Sequence, residues 1–468
     1  MKKRYLISLT FFCISTTNFA QHMADKWYFG NMAGLDFSGG TPVPITSSQM
    51  AAGEGSASVS DPVTGDLLFY TDGINVWNAN NTIMPNGSGL MGGISSTQVA
   101  LIVPKPGSNN DYYIFTSDQT GGSLGLRFST VNMSLDGGNG NVVAKNVLLQ
   151  TPVTEKITAV KQPGTANYWL VAHGWNEDAF YAYKITASGI SQAVVSHSGI
   201  VHNDSVIQNS YGQMKFNTCG DRLALAAGYL DKVEIFDFDV ATGMVSNPQT
   251  ISYSDHVYGI EFSPNSDLLY VSTYEAGGTL LQYDLTLPNT AAMIAAVQII
   301  STTPDIYPLQ RGPDGKIYVV KSYSQYVGVI QSPDFVGTLA CNYIDNAIDL
   351  DAGSMGLNSG IGLPNFVTSS LGGASLCPGA SAGTGENVLQ ANRVFPNPSN
   401  ESFTFVIKDN SSRTEIAITD ASGKLIEIHE GLAGTTFSFG ENYVAGVYFL
   451  HITNEFGING VLRVVKTN

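Results

Sequence analysis

Few residues in this chain could do chemistry: 22 Lys and Arg, 38 Asp and Glu and 7 His among 468 residues. Asp237 and Asp239 stand two apart in a strand-like run and so share one face. Asp345, Asp349 and Asp351 crowd a second stretch. Ca²⁺ takes six to eight oxygen ligands, and such carboxylates could supply some of them. No EF-hand spacing occurs, so the plainer expectation is solvated turn carboxylates, with bound Ca²⁺ as the other reading. His173, His197, His202 and His256 fall in the middle of the chain, and His22 lies near its start. His173 stands near Trp175 and Asp178, and His256 follows Asp255. No Cys-x-x-Cys or His-x-x-x-His spacing marks a transition-metal site. No Gly-x-x-x-x-Gly-Lys-Ser/Thr phosphate loop is present. The Gly/Ser-rich stretches lack the strand–helix alternation that a nucleophile elbow requires. Lys215, Glu261, Gln310 and Arg311 lie at matching places of the repeat described next. Near a shared axis they would line a ligand funnel, or pair with one another and with channel water.

Six segments follow one plan of Gly/Pro/Asn/Asp turns and short apolar strands. GDLLFYTDG (65–73), DYYIFTSD (111–118), NYWLVAHG (167–174), DRLALAAG (221–228), DLLYVSTY (267–274) and GKIYVVKS (315–322) correspond. Leu67, Tyr112, Tyr168, Leu223, Leu268 and Ile317 are equivalent, with steps of 45, 56, 55, 45 and 49 residues. That period suits a four-stranded propeller blade with loops of varied length. A strand with period-2 alternation follows each segment, as in Lys232-Val233-Glu234-Ile235. A small-residue strand precedes each and belongs next to the axis. SGIGLPNFVTSS (359–370) reads as an inner strand without successors. KWYFG (26–30), GLDFSG (34–39) and TPVPI (41–45) read as later strands without an inner one. Joining them makes a seventh blade from both ends and removes the open sheet edges. The expected fold is all-β: a seven-bladed propeller over 22–370. Eight short blades or two stacked sheets are the alternatives. NTAAMIAAVQII (289–300) could be an outer strand or a helical turn.

Outside that body the chain has an address at one end and a small β unit at the other. Lys2, Lys3 and Arg4 precede an apolar run of about ten residues, a secretory signal peptide (1–20) with cleavage between Ala20 and Gln21. Phe12 before Cys13 excludes a lipobox. Removing 1–20 changes the net charge from −16 to 19 − 38 = −19. So acidic a chain is no phosphate-neutralising nucleic-acid binder. No later apolar run is long enough for a membrane span. Cys219, Cys341 and Cys377 then remain, an odd number; Cys219 and Cys341 read as small buried apolar residues. A Gly/Ala/Ser-rich linker covers 371–391. Alternating strands over 392–468 make a small antiparallel, immunoglobulin-like sandwich.

That last unit contains Phe395-Pro396-Asn397-Pro398, then Ile418-Thr419-Asp420-Ala421-Ser422-Gly423-Lys424, then Ala445-Gly446-Val447-Tyr448-Phe449-Leu450 and a Val-rich basic end. The order resembles the type A C-terminal sorting domain of the type IX secretion system. The resemblance implies a Bacteroidetes source and export through the periplasm to the outer cell surface or the medium. It also makes the secretion machinery a partner through 392–468. Trp27-Tyr28-Phe29-Gly30-Asn31, Gly312-Pro313-Asp314-Gly315-Lys316-Ile317-Tyr318 and Gly362-Leu363-Pro364-Asn365-Phe366 resemble secreted WD40-like or YVTN-like Bacteroidetes propellers. That likeness supports fold more than function. With no catalytic set and no cofactor site evident, the expectation is a non-enzymatic module that binds extracellular glycan or protein. The alternative is a propeller lyase, lactonase or other hydrolase acting on extracellular polymer; a structural surface-layer component is a third possibility. Lys215, Glu261, Gln310 and Arg311 are the expected axial ligand contacts.

Overall fold

The computed structural model describes residues 22–371 except Ala276, and 393–467 except 407–413, 421–423, 433–434 and 455–458. The signal peptide with Ala20 and Gln21, nearly all the linker, Cys377 and the Ala421-Ser422-Gly423 turn lie outside those residues. The chain divides into two compact units, 1–373 and 374–468.

The first unit is a seven-bladed propeller. Six antiparallel sheets of four strands each follow one another, every sheet in simple chain order. Their inner strands are Ala57–Ser60, Ala100–Pro104, Val153–Lys161, Met214–Phe216, Val257–Phe262 and Ile306–Arg311. The aligned apolar segments are the second strands: Leu67–Thr71, Asp111–Ser117, Tyr168–Gly174, Arg222–Ala227, Leu268–Thr273 and Ile317–Lys321. Inner strands are almost wholly buried, and small side chains let them crowd the axis. A Cβ on Gly259 would lie 2.2 Å from the Tyr307 carbonyl oxygen of the next blade. Each blade face shares an apolar core with its neighbour. Phe69 and Ile114 sit between blades one and two, and Leu170 with Leu101 between two and three. Tyr28, Tyr70 and Trp77 close the ring between blades seven and one.

Blade seven departs from expectation. Lys26–Phe29, Ala33–Asp36 and Val43–Pro44 form a three-stranded sheet. The segment expected as its inner strand is irregular, meeting its neighbours through isolated bridges Asn31–Asn358 and Ser56–Pro364. It then enters a short 3₁₀ turn, Thr368–Leu371. The reason is local: Gly360 takes a φ of +59°, and Pro364 offers no N–H to a ladder. The segment still closes the ring. Gly362 passes so near blade one that a Cβ would lie 1.6 Å from the Glu54 carbonyl oxygen. Leu363 and Phe366 pack into the core built on Trp27. The 289–300 stretch is both readings in turn: helix Thr290–Ala295, capped by the Asn289 side chain, then outer strand Gln298–Ser301.

Cys341 is a free, buried thiol as expected. Cys219 is disulfide-bonded, which corrects its reading as a small apolar residue.

The second unit is a sandwich. Arg393–Phe395, Phe403–Val406 and Thr436–Phe439 form one sheet. Leu425–Gly431, Thr414–Asp420, Gly446–Asn454 and Asn459–Lys466 form the other, in that order. Phe403, Phe405, Ile416, Ile418, Leu450 and Ile452 fill the space between. Buried Lys466 donates to the Gly440 carbonyl at 2.8 Å and to the Glu401 carbonyl.

Candidate functional site

All inner strands run the same way along the axis, so their starts surround one mouth and their ends the other. Three polar layers fill the space between.

The layer at the starts of the strands holds two buried carboxylates. Glu54 accepts from the Ser95 hydroxyl at 2.6 Å and from the Tyr258 hydroxyl. Burial, and then the Glu155 charge, push its carboxyl up to about 8. Glu155 accepts the Thr97 N–H at 2.8 Å and hydroxyl at 2.9 Å, the Thr120 N–H at 2.8 Å and the Ser210 hydroxyl at 3.1 Å. Lys156 turns into the gap towards blade four and donates to the Ser210 and Tyr211 carbonyls, both at 2.7 Å. Burial pulls its ammonium below the ordinary lysine value, opposed by Glu155.

Amides form the middle layer. Gln98 pairs with the Met214 backbone at 2.8 and 3.1 Å. Gln213 accepts the Ile260 and Leu309 N–H groups at 3.1 and 3.0 Å, tying blades four, five and six. Asn365, from the closing segment, donates to the Ile157 carbonyl at 3.0 Å.

The third layer gathers all four expected funnel residues. Lys215 donates to Gln310 at 2.5 Å and lies 3.8 Å from Glu261. Glu261 also accepts the Arg311 N–H at 3.0 Å. The Arg311 guanidinium donates to the Thr218 hydroxyl and, at 3.3 Å, to the Thr368 carbonyl. Every one of the four is buried. Burial lowers both cations, with Glu261 opposing. Most of their polar atoms are turned on one another and on the blade ends, while the buried Arg311 Nε has no hydrogen-bond partner among the described residues.

The histidines disperse. His197 pairs with Asp178 at 2.7 Å on the surface, and His22 with Asp25 at 2.8 Å. His173 and His202 are fully buried behind the link between blades three and four, ring centroids 4.1 Å apart. His173 Nδ1 meets the Gly174 carbonyl at 2.8 Å, while its Nε2 and both His202 nitrogens have no hydrogen-bond partner among the described residues. Burial, reinforced by Lys156, drops His173 to about 3. The neutral ring is thus favoured in the fold. Its contribution is complete above the unfolded value of 6.5 and is lost as pH falls towards 3. Relative to a His173→Phe variant, the natural chain should lose about 2 kcal/mol of unfolding free energy between pH 6.5 and pH 5. Denaturant titrations at both pH values check this; parallel losses in the two chains contradict it.

The carboxylate clusters also separate. Asp237 accepts from Asn247 at 2.7 Å and Asp239 from Thr242 at 2.6 Å. Asp345 pairs with Lys321 at 2.8 Å, while Asp351 accepts the Met355 N–H at 2.6 Å. Among the described residues no three His, Cys, Asp or Glu gather to hold a metal.

Around the first layer lies a feature that no sequence motif marks. Tyr211, Tyr258 and Tyr307 open the inner segments of blades four, five and six. Tyr258 and Tyr307 ring centroids are 5.1 Å apart, Tyr274 and Tyr307 5.0 Å, Tyr258 and Tyr274 5.8 Å. Tyr229 stacks on His256 at 3.6 Å and reaches within 6.5 Å of Tyr274. His256 Nδ1 meets Asp231 at 2.6 Å, and the Tyr229 hydroxyl donates to Glu275 at 2.8 Å. Tyr211, Tyr229, Tyr274 and Tyr307 are only half-buried, and the Glu275 side chain is 52% exposed. Its trace in the sequence is the recurring Tyr at the start of three successive blades.

Residues 393–466 match the family described as the secretion system C-terminal sorting domain. The C-terminal unit is such a sorting domain. It directs type IX export to the cell surface or the medium. No helix among the described residues is long and apolar enough to cross a membrane. Nothing among curated proteins matches the chain. Among solved structures, a putative 6-phosphogluconolactonase from Bacteroides fragilis aligns at TM-score 0.45 and 11% identity, covering 75% of this chain and 98% of its own. A putative 6-phosphogluconolactonase from Bacteroides uniformis aligns at TM-score 0.44 and 14% identity, covering 70% and 98%. A Lactobacillus plantarum protein aligns at 0.43 and 14%, covering 73% and 99%. No activity is carried over from them.

Proposed function

We propose that the exported propeller is a binding module for extracellular glycan, and that its contact surface is the mouth where the inner strands begin. The observation that carries this is the group of half-buried rings, Tyr211, Tyr229, Tyr274 and Tyr307, beside the hydrogen-bonding side chains of Asp231, His256 and Glu275. Tyrosine offers an apolar face to the C–H side of a sugar ring and a hydroxyl to its oxygens. Carboxylates accept from sugar hydroxyls. A rigid frame below reduces the ordering cost of binding. The Glu54 and Glu155 oxygens already accept from neighbouring hydroxyls and N–H groups, which supports a framing role over proton transfer.

A glycan array probed with the full chain tests the reading. Tyr229→Ala and Tyr307→Ala should each weaken the signal about tenfold, ~1.4 kcal/mol. Unchanged signals in both variants, with glycan still bound, would move the site elsewhere.

A further inference from the structure

Charge at the mouth narrows the ligand. Besides the starts of the inner strands, this end carries every turn between second and third strands and every link from one blade to the next. In chain order these are residues 30–32, 45–56, 72–74, 89–99, 118–125, 151–152 and 175–178, then 198–213, 228–231, 253–256, 274–275 with 277–278, 302–305, 322–325 and 350–358. Reading them off the sequence gives eleven Asp and Glu and not one Lys or Arg. Among them, Asp231, Asp255, Glu275 and Asp305 stand in the sector of blades four to six that holds the tyrosines. Lys156, beside the first layer, is fully buried and held by two carbonyls, and Lys232, the first strand residue after Asp231, turns its ammonium onto the Leu230 carbonyl at 3.3 Å. Carboxylates around π-faces attract cations and repel anions; ammonium groups over tyrosine rings gain further.

We infer that the mouth selects amine-bearing glycans over neutral ones and excludes uronic-acid and phosphorylated glycans, because half-exposed tyrosine faces and Glu275, Asp231, Asp255 and Asp305 surround it with no Lys or Arg in its connections. The inference rests on the glycan reading above and adds the charge of the sugar to it. The rings supply the stacking shared by all glycans, and the carboxylates discriminate among them.

Titration calorimetry of the full chain with hexamers of glucosamine, N-acetylglucosamine and galacturonic acid decides it. The glucosamine hexamer should bind about tenfold more tightly than its N-acetylated counterpart at low salt, and the ratio should shrink in about 0.5 M salt as the charges are screened. The galacturonic acid hexamer should not bind. Glu275→Gln with Asp255→Asn should narrow the ratio several-fold; both side chains are at the surface, and a melting curve confirms that the variant folds. Equal binding of amine and N-acetyl forms, or binding of the acidic hexamer, overturns the charge inference and leaves the glycan reading standing. Binding of none of the three overturns the inference. Polylysine bound as tightly as the glucosamine hexamer, with Tyr229→Ala harmless to both, overturns the inference and the glycan reading together.

Discussion

Replacing Glu155 with Ala should lower the unfolding free energy of the propeller by about 3–5 kcal/mol, the range for removing one partner from a buried charged network. Four donors converge on this carboxylate: two backbone N–H groups, from Thr97 and Thr120, and the hydroxyls of Thr97 and Ser210. The Ser210 hydroxyl would keep the Ile207 carbonyl at 2.8 Å, but the two N–H groups and the Thr97 hydroxyl would be stranded away from water, at about 1–3 kcal/mol for a fully orphaned group before relaxation. Lys156 would also lose its neighbouring countercharge while keeping only the Ser210 and Tyr211 carbonyls. The damage would spread, since the donors come from the link into blade two, from a turn of blade two and from the link to blade four, while Glu155 itself stands in blade three. A second variant separates the causes. Adding Lys156→Met to Glu155→Ala removes the uncompensated cation and should recover part of the loss. Denaturant titration measures both; a loss below about 1 kcal/mol in the single variant contradicts the network.

Trp27→Ala should be comparably severe, about 3–5 kcal/mol, through lost apolar burial and the cavity left behind. Trp27 is 0% exposed. Its ring lies 4.8 Å from Phe37, 5.2 Å from Tyr318 and 5.5 Å from Phe366, and its indole N–H donates to the Ala24 carbonyl at 2.9 Å. Those partners come from blade seven, blade six and the closing segment. This side chain therefore joins the two chain ends where the seventh blade lacks a regular inner strand. Loss of the ring should unlatch residues 358–367 before the rest of the propeller opens. Faster amide exchange there than in Leu223–Ala227 would show it; uniform exchange would place closure elsewhere. Trp27→Phe should cost less, because Phe fills most of the volume but cannot donate to Ala24.

The blade count and strand positions were legible because turn chemistry and strand alternation are local and recur every 45 to 56 residues. The closure from both ends followed from counting unpaired strands. Its backbone did not, because the closing segment is held by single contacts such as the Asn365 N–H to the Ser56 carbonyl at 2.8 Å, which leave no periodic pattern. The grouping of Lys215, Glu261, Gln310 and Arg311 was legible from register. Their further partners were not: Thr218 and Thr368, which hold the Arg311 guanidinium, come from a turn and from the closing segment. The mouth leaves no local sequence pattern for a related reason. Tyr229, His256 and Tyr274 lie in three different connections, and only the ring geometry brings them together. The acidity likewise looked like a property of the whole exported body; the topology shows that the mouth connections carry acid and no Lys or Arg.

Hydrogen exchange of the full chain with and without a bound glycan tests the central claim, that the ligand seats on the strand-start mouth. Protection should appear at 211–213, 228–231, 253–258, 274–278 and 302–307, with the opposite turns 105–110 and 312–316 unchanged. The surface cleft of about 280 Å³ between Arg222 and Met293 should also stay unchanged. Protection confined to that cleft or to the opposite turns, with the tyrosine mouth exchanging as freely as before, would contradict it.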